Sequence, residues 1–163
     1  MPFDVEEYTA RVGSEGPCFI CRIVDGTDTR HEIIYRDERL LAFFNRFPTL
    51  EGYTLVAPLE HREAVVSDFS EEDYLALQSL VYRIGQAMVE VFPTERLYIL
   101  SLGSQQGNRH VHWHVAALPP GVPYPEQQFA ALMAEEKGYL DIPRSDRERL
   151  AHALRRALDR QVP

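Results

Sequence analysis

Three histidines in one short segment are the residues of this sequence best suited to chemistry. His110, His112 and His114 alternate with large apolar residues over the segment His110–Val115. This alternation, with β-branched valine at two of the three apolar positions, predicts a β-strand. Successive side chains of a strand point to opposite faces, so the three imidazoles would share one face at intervals of about 6–7 Å. A phosphate or another small ligand can bridge that interval.

Two other interpretations of the three histidines are open. The first is a solvated strand that carries histidine without using it, although the strand otherwise looks buried and an unpaired buried imidazole is costly. The second is a catalytic zinc ion bound by all three side chains. One strand supplies two ligands to one metal more easily than three, which makes this geometry the less favourable one.

The segment His110–Ala116 resembles the signature of the histidine-triad (HIT) family, His-φ-His-φ-His-φ-φ with φ apolar. Members of this family, among them the Hint- and Fhit-type enzymes, are nucleotide hydrolases and transferases that act at the α-phosphate of nucleoside phosphate conjugates. The resemblance implies that His112 is the nucleophile and that His114 is a proton donor and phosphate ligand. The sequence shows no carboxylate cluster for Mg²⁺ and no Walker lysine, which is consistent with a chemical step that needs no metal.

Cys18 and Cys21 form a Cys-x-x-Cys pair with three interpretations. They can be two small buried hydrophobic residues. They can be a redox pair, although the strand that precedes a thioredoxin-like motif is missing. They can also be zinc ligands, with His61 and His110 available to complete a tetrahedral structural site. Many HIT proteins begin with such a pair and complete the site with the first triad histidine, so the resemblance implies zinc at Cys18, Cys21, His61 and His110.

Asn45 follows an apolar run at the position where HIT enzymes use an acidic or amide side chain to hold the ribose hydroxyls. An amide offers both a donor and an acceptor to a diol. The alternative is that Asn45 is a turn residue, a role in which asparagine is common.

The loop 103–109 before the histidines contains two glycines, which would let its backbone amides close on a phosphate. A plain hairpin turn is the alternative. The candidate substrate-binding side chains of the loop are Ser104, Gln105, Gln106 and Asn108. The loop is shorter than in many HIT proteins, so it stays open whether Gln105, Gln106 or Asn108 takes the role of the usual glutamine.

The composition of the 163 residues, 45% hydrophobic and 26% charged, is that of a globular protein. We expect one domain over 1–163, with a family-like core at 18–120 and a C-terminal helical extension at 121–163. The formal net charge of −8 argues against nucleic-acid and anionic-membrane partners, but not against a small nucleotide. No signal peptide and no membrane-spanning run is visible, and only two cysteines occur, so a cytoplasmic location is expected.

The hydrophobic patterns predict an α+β fold, in which an antiparallel sheet of about five strands packs against one long helix and C-terminal helices complete the domain. Four strands besides the histidine segment are expected at His31–Asp37, Leu40–Asn45, Tyr53–Ala57 and Arg96–Leu102. Helices are expected at Phe3–Val12, Ser70–Phe92, Glu126–Lys137 and Ser145–Arg160. Ser145 and Glu148 would form a capping box at the start of the last helix.

The resemblance implies a hydrolase that attacks the α-phosphate of dinucleoside polyphosphates or nucleoside phosphoramidates through a covalent His112–nucleotide intermediate. An adenine nucleotide is the favoured substrate, and a homodimer is expected because HIT relatives usually form one. Three alternatives stay open: a nucleotidyl transferase or phosphorylase with the same nucleophile, a non-catalytic nucleotide-binding regulatory module, and a metal-dependent hydrolase.

Overall fold

Five strands form one antiparallel sheet in the computed structural model, which describes residues 1–12, 16–128 and 138–161. Their order across the sheet is β1-β2-β3-β5-β4. The strands are β1 (Ile33–Arg36), β2 (Leu40–Phe44), β3 (Thr54–Pro58), β4 (Arg96–Ser101) and β5 (Trp113–Leu118). The strand that continues the histidine segment, β5, therefore lies inside the sheet between β3 and β4.

Over the described ranges, α-helices and a short 3₁₀ turn accompany the sheet. They are α1 (Val5–Val12), α2 (Phe19–Val24), α3 (Glu71–Val91), the 3₁₀ turn Tyr124–Glu126 and α4 (Arg144–Asp159). The predicted α+β fold, with its sheet of about five strands and its long helix, is confirmed. The predicted helix over Glu126–Lys137 lies largely outside the described residues. Within the described ranges, no helix combines the length and the apolar character that crossing a membrane requires.

Local hydrogen bonds explain where several elements begin. The Asp37 carboxylate accepts from the backbone N–H groups of Arg39 and Leu40, at 2.8 and 2.7 Å, and closes the predicted β1–β2 hairpin. Ser70 caps α3, because its hydroxyl accepts from the backbone N–H of Asp73 at 3.1 Å. Both arrangements satisfy backbone donors that would otherwise lack a partner.

The predicted capping box at the last helix is wrong. Helix α4 begins one residue earlier, at Arg144, with Pro143 as its N-cap and no capping hydrogen bond from a side chain. Ser145 therefore lies inside the first turn, where it cannot cap the helix. Glu148 accepts instead from Nε of Arg144 at 2.7 Å.

The two faces of the sheet carry two separate apolar cores. Trp113, Val115 and Ala117 of β5 pack on the side of α3 and α4. Ala116 and Leu118 pack on the other side, together with residues of α2. Since Val111 also belongs to the core under α3, the alternation of the sequence sends the histidine side chains to the opposite face.

The predicted strand covers only part of the histidine segment. Pairing of β5 with both neighbours begins at Trp113, opposite Val56 and Ser101. Before that point the backbone has other partners: the N–H of Val111 donates to the carbonyl of Arg62 at 2.7 Å, and the His112 carbonyl accepts from the hydroxyl of Ser101 at 2.8 Å. His110 and His112 thus precede the strand, and His114 lies within it.

The turn into β3 requires a glycine at position 52, and a substitution can test this requirement. The backbone φ of Gly52 is +73°, and an added Cβ would lie 2.2 Å from Cζ of the buried Phe92 ring. We expect Gly52→Ala to lower the free energy of unfolding by about 2–5 kcal/mol, because left-handed strain and overpacking add. Urea denaturation measures this loss. Gly26→Ala is the matched control, with φ of +81° and nothing within 4 Å; equal losses in the two variants would show that the contact with Phe92 contributes nothing.

Candidate active site and metal-ligand cluster

The structure divides the three histidines between two sites. The rings of His112 and His114 lie next to each other, with centroids 4.8 Å apart, and both line a cavity of about 270 Å³. His110 does not line this cavity. Its ring lies 4.8 Å from that of His61, on the side of the two cysteines. The single-face arrangement therefore yields a pair of histidines at the cavity and one histidine in a neighbouring cluster.

His112 has the tautomer that a nitrogen nucleophile needs. Its Nδ1 lies 2.7 Å from the carbonyl oxygen of His110. Since a carbonyl can only accept, Nδ1 carries the proton and Nε2 keeps its lone pair. Burial lowers the pKa of His112 and thereby favours the neutral ring. Among the described residues no hydrogen-bond partner occupies Nε2, and the ring edge meets Phe19 at a centroid distance of 5.9 Å.

His114 is paired with a tyrosine that the sequence analysis missed. Its Nδ1 lies 3.1 Å from the hydroxyl of Tyr53, which is 3% exposed. Burial and the neighbouring His112 lower the pKa of His114 to about 3. A neutral ring whose Nδ1 accepts from the tyrosine hydroxyl carries its proton on Nε2. That Nε2 is buried and has no partner within the described part of the chain, so it is free to bind an oxygen of a ligand.

Besides His114, two of the predicted substrate-binding side chains line the cavity, Asn45 and Asn108. Oδ1 of Asn45 accepts from the backbone N–H of Phe47 at 3.0 Å, which is the turn role considered for it. Asn108 has a backbone φ of +53°, donates from Nδ2 to the hydroxyl of Tyr8, and leaves its buried Oδ1 without a partner in the described ranges. Both residues thus have structural contacts and still face the cavity.

The other three loop residues, Ser104, Gln105 and Gln106, do not line the cavity. The backbone N–H and carbonyl groups of Ser104 and Gly107 pair with each other at 3.0 and 3.1 Å, and the Ser104 hydroxyl accepts from the N–H of Gln106. The loop is therefore a closed hairpin whose amides are partly used internally. Its binding of phosphate stays a prediction.

The four predicted metal ligands lie together. The ligand atoms of Cys18, Cys21, His61 and His110 are all within 4.8 Å of one another. Nδ1 of His110 lies 3.4 Å from Sγ of Cys18, and Nδ1 of His61 lies 3.3 Å from Sγ of Cys21. Two sulfurs and two nitrogens around one point match the donor set of a tetrahedral site.

Hydrogen bonds on the far side of both rings fit a metal ion. Nε2 of His110 lies 3.0 Å from the Pro58 carbonyl, and Nε2 of His61 lies 3.0 Å from the Glu63 carboxylate. Both partners accept, so each Nδ1 presents a lone pair to the thiols, as in metal sites whose outer acceptors orient the histidines. Burial raises the pKa of the Cys21 thiol to about 12, so a cation is needed to hold the thiolate.

The sheet, the histidine pair and the ligand cluster define a class of α+β proteins built around an extended histidine segment. Residues 27–120 match the family model of the HIT domain. The chain therefore belongs to the HIT domain family.

Three relatives illustrate the range of this similarity. An uncharacterized HIT-like protein of Saccharolobus solfataricus is 33% identical over 101 residues, which span 60% of this chain and 71% of that protein. The bifunctional adenosine 5′-phosphosulfate phosphorylase/adenylylsulfatase of Arabidopsis thaliana is 27% identical over 111 residues, 66% of this chain and 74% of that one. The crystal structure of a zinc-bound histidine triad family protein from Mycobacterium smegmatis superposes with a TM-score of 0.66 at 26% identity, covering 91% of this chain and 96% of that chain.

The environment of His114 predicts an unusual titration. The lowered pKa of about 3 means that the unfolded chain, with a value of 6.5, binds a proton first as the pH falls. The contribution of His114 to stability is therefore complete above pH 6.5 and is lost below it, at about 1.4 kcal/mol per pH unit. Proton NMR of the assigned ring should show no titration between about pH 7.5 and about pH 5, whereas the same ring in urea-unfolded protein titrates near 6.5. A midpoint near 6.5 in the folded protein would contradict the burial argument.

Proposed function

We propose that this protein is a nucleotide hydrolase that cleaves at the α-phosphate of an adenine nucleotide conjugate and forms a covalent intermediate on His112. The observation that supports it most is the 2.7 Å bond from Nδ1 of His112 to the His110 carbonyl. This bond leaves Nε2 unprotonated at the edge of a cavity that can hold a ligand. A nitrogen nucleophile fixed in this way can attack phosphorus without a separate base.

The first step is an in-line displacement. Nε2 of His112 forms a bond to the α-phosphorus while the bond from phosphorus to the leaving oxygen or nitrogen breaks. The ring becomes positively charged, and its Nδ1–H stays bonded to the His110 carbonyl, which stabilises that charge. Water then attacks the phosphorus from the side that the leaving group vacated. The bond between Nε2 and phosphorus breaks with its electron pair returning to the ring, and the water loses a proton to solvent. The nucleoside monophosphate is released and His112 is again a neutral imidazole.

His114 is suited to assist the departure of the leaving group. A bound phosphate brings negative charge next to this ring, which raises its pKa from the low value of the empty cavity. Nδ1 then takes up a proton, and Nε2 passes the proton that it already carries to the leaving atom, a contribution of about 10²–10⁴-fold in rate for a positioned general acid. Tyr53, whose hydroxyl lies 3.1 Å from Nδ1, orients the ring for this transfer.

The residues that line the cavity and the membership of the HIT family support a nucleotide conjugate as the substrate. Asn45 would bind the ribose hydroxyls, and dinucleoside polyphosphates and nucleoside phosphoramidates are the conjugates to test. A phosphorylase is the second candidate, because the Arabidopsis relative is named as both a phosphorylase and a sulfatase. Both reactions use the same adduct and differ in whether phosphate or water resolves it.

We also infer that the protein forms a homodimer, as the resemblance implies. Three large apolar side chains at seven-residue intervals on α3 support this inference. They are Leu75, Tyr82 and Val89, which are 57%, 65% and 51% exposed. An apolar stripe of this kind gains stability when a second chain covers it.

We propose that the cluster of two cysteines and two histidines holds a structural zinc ion, in line with the zinc-bound Mycobacterium relative. Zinc would supply a closed set of four bonds there, which contributes to folding and not to the chemical step. Cys18 and Cys21 lie at the start of α2, whereas His61 follows β3 and His110 precedes β5. The ion would therefore fix α2, whose Phe19 contacts His112, against the sheet.

Substitution of the nucleophile tests the reaction. We expect His112→Ala to abolish the hydrolysis of diadenosine triphosphate, diadenosine tetraphosphate and adenosine phosphoramidate, since the substitution removes the proposed nucleophile. Chromatography of the products measures the rates, and circular dichroism checks that the variant is folded. The control is His152→Ala on the exposed side of α4, which should keep full activity. Full activity of His112→Ala would refute the assigned nucleophile.

Metal analysis tests the cluster. Protein purified without chelators is expected to contain about one zinc ion per chain, as a closed four-ligand site requires. Cys21→Ser should lose the ion and unfold at a lower temperature, because the bonds by which the ion would fix α2 against the sheet are lost. His152 lies outside the ligand cluster, so the control variant His152→Asn should retain the ion. Elemental analysis that finds no zinc in the native protein would remove the metal from this account.

A further inference from the structure

Arginine side chains surround the cavity that contains the histidine pair, in a chain whose net charge is −8. The four that line it are Arg11, Arg22, Arg30 and Arg46. Asp28 is the single acidic residue of the lining among the described residues, so the lining has a formal excess of three positive charges. The lining of the cavity is thus positively charged, although the protein as a whole is negatively charged.

Arg30 is the one arginine of this group with a carboxylate partner. Its Nε and Nη2 donate to the two oxygens of Asp28 at 2.9 and 2.6 Å, and Asp28 is only 7% exposed. These bonds hold the pKa of the Asp28 carboxyl well below its usual range. In the described part of the chain, no carboxylate lies within ion-pair distance of Arg11, Arg22 or Arg46.

Two of the arginines are held by an aromatic side chain. The guanidinium carbons of Arg11 and Arg46 lie 5.3 and 5.4 Å from the centroid of the Phe47 ring. Phe47 in turn packs against Tyr8 and Tyr139, with centroids 5.8 and 5.1 Å away. The two charged groups are therefore ordered in advance, which reduces the entropy that a ligand must overcome.

These positive charges also face one another. Partial burial lowers the pKa of Arg46, and repulsion from the charges of Arg30 and Arg11 lowers it further. A smaller cavity behind Arg30 and Arg46 contains Glu32 and Asp141, but neither carboxylate forms an ion pair with them in the residues described. A negatively charged ligand would relieve the repulsion, and guanidinium groups match the geometry of phosphate oxygens.

Two of the arginines are close in sequence to residues of the proposed site. Arg22 follows Phe19 by one turn of α2, and the Phe19 ring contacts His112. Arg46 directly follows Asn45. We propose that this arginine group binds a second phosphate of the nucleotide substrate, separate from the phosphate that His112 attacks. The inference rests on the proposed function, and it implies that nucleotides with at least two phosphate groups bind more tightly than those with one.

The second phosphate has two chemical sources. It can belong to a polyphosphate chain that leaves with the second half of the substrate, or it can be attached to the 2′ or 3′ hydroxyl of the ribose. In either case the same guanidinium groups would form charge-assisted hydrogen bonds with it. A phosphoramidate with an uncharged leaving group would gain nothing from these arginines.

Titration calorimetry with the full-length His112→Ala protein tests the inference without turnover. The probes are AMP, ADP, ATP, adenosine 3′,5′-bisphosphate and adenosine 2′,5′-bisphosphate. We expect at least one probe with several phosphates to bind about tenfold or more tightly than AMP, as charge-assisted hydrogen bonds of this kind provide. Arg11→Gln or Arg46→Gln is then added to the same protein. Either substitution should reduce the affinity for that probe, relative to the affinity for AMP, to less than about threefold.

Arg156→Gln is the matched control, since Arg156 is exposed on α4 and does not line the cavity; it should leave the ratio unchanged. An advantage of ADP and ATP assigns the second phosphate to the leaving chain, and an advantage of a bisphosphate assigns it to the ribose. Equal affinities for all probes, or a ratio that survives both arginine substitutions, would overturn the inference while the nucleotide site stands. If AMP itself does not bind, the proposed function falls together with this inference.

Discussion

The hydrogen bond between Nδ1 of His112 and the carbonyl of His110 is the interaction on which the rest of the site depends. It fixes the tautomer of His112, the proposed nucleophile, because a carbonyl accepts and never donates. His110 is itself fixed by its ring, which reaches the cysteine sulfurs on one side and the Pro58 carbonyl on the other. His110 therefore contacts the cysteine cluster through its side chain and the ring of His112 through its backbone carbonyl.

His110 lies before the part of β5 that pairs with neighbouring strands, so its backbone carbonyl can accept from His112. β5 starts at Trp113, and the extended segment before it is held by the Arg62 carbonyl and the Ser101 hydroxyl. If the ladder continued through His110, its carbonyl would be directed to a neighbouring strand. The apolar side chains of the segment still enter the core under α3, so the register of the histidines is set by hydrophobic burial.

Much of this arrangement could be predicted from the sequence, and the physical reasons for the failures are clear. The period of two around Trp113 predicts the face of the histidines, and the resemblance to the HIT family implies which residues meet at the ligand cluster. The capping box of Ser145 and the extent of the histidine strand were wrong, because a preceding proline and competing backbone partners decide them. Tyr53 and Arg46 were missed, since their proximity to the cavity arises from strand pairing and loop packing that no local pattern encodes.

The most direct measurement of the central claim is the position of the covalent adduct. The protein would be mixed with diadenosine triphosphate, quenched in alkali within the first turnover, and digested for mass spectrometry, while phosphorus NMR of the quenched protein distinguishes the two imidazole nitrogens. The account predicts one adenylyl group on Nε2 of His112. An adduct on Nδ1 of that ring, on another residue, or turnover without any adduct would contradict it.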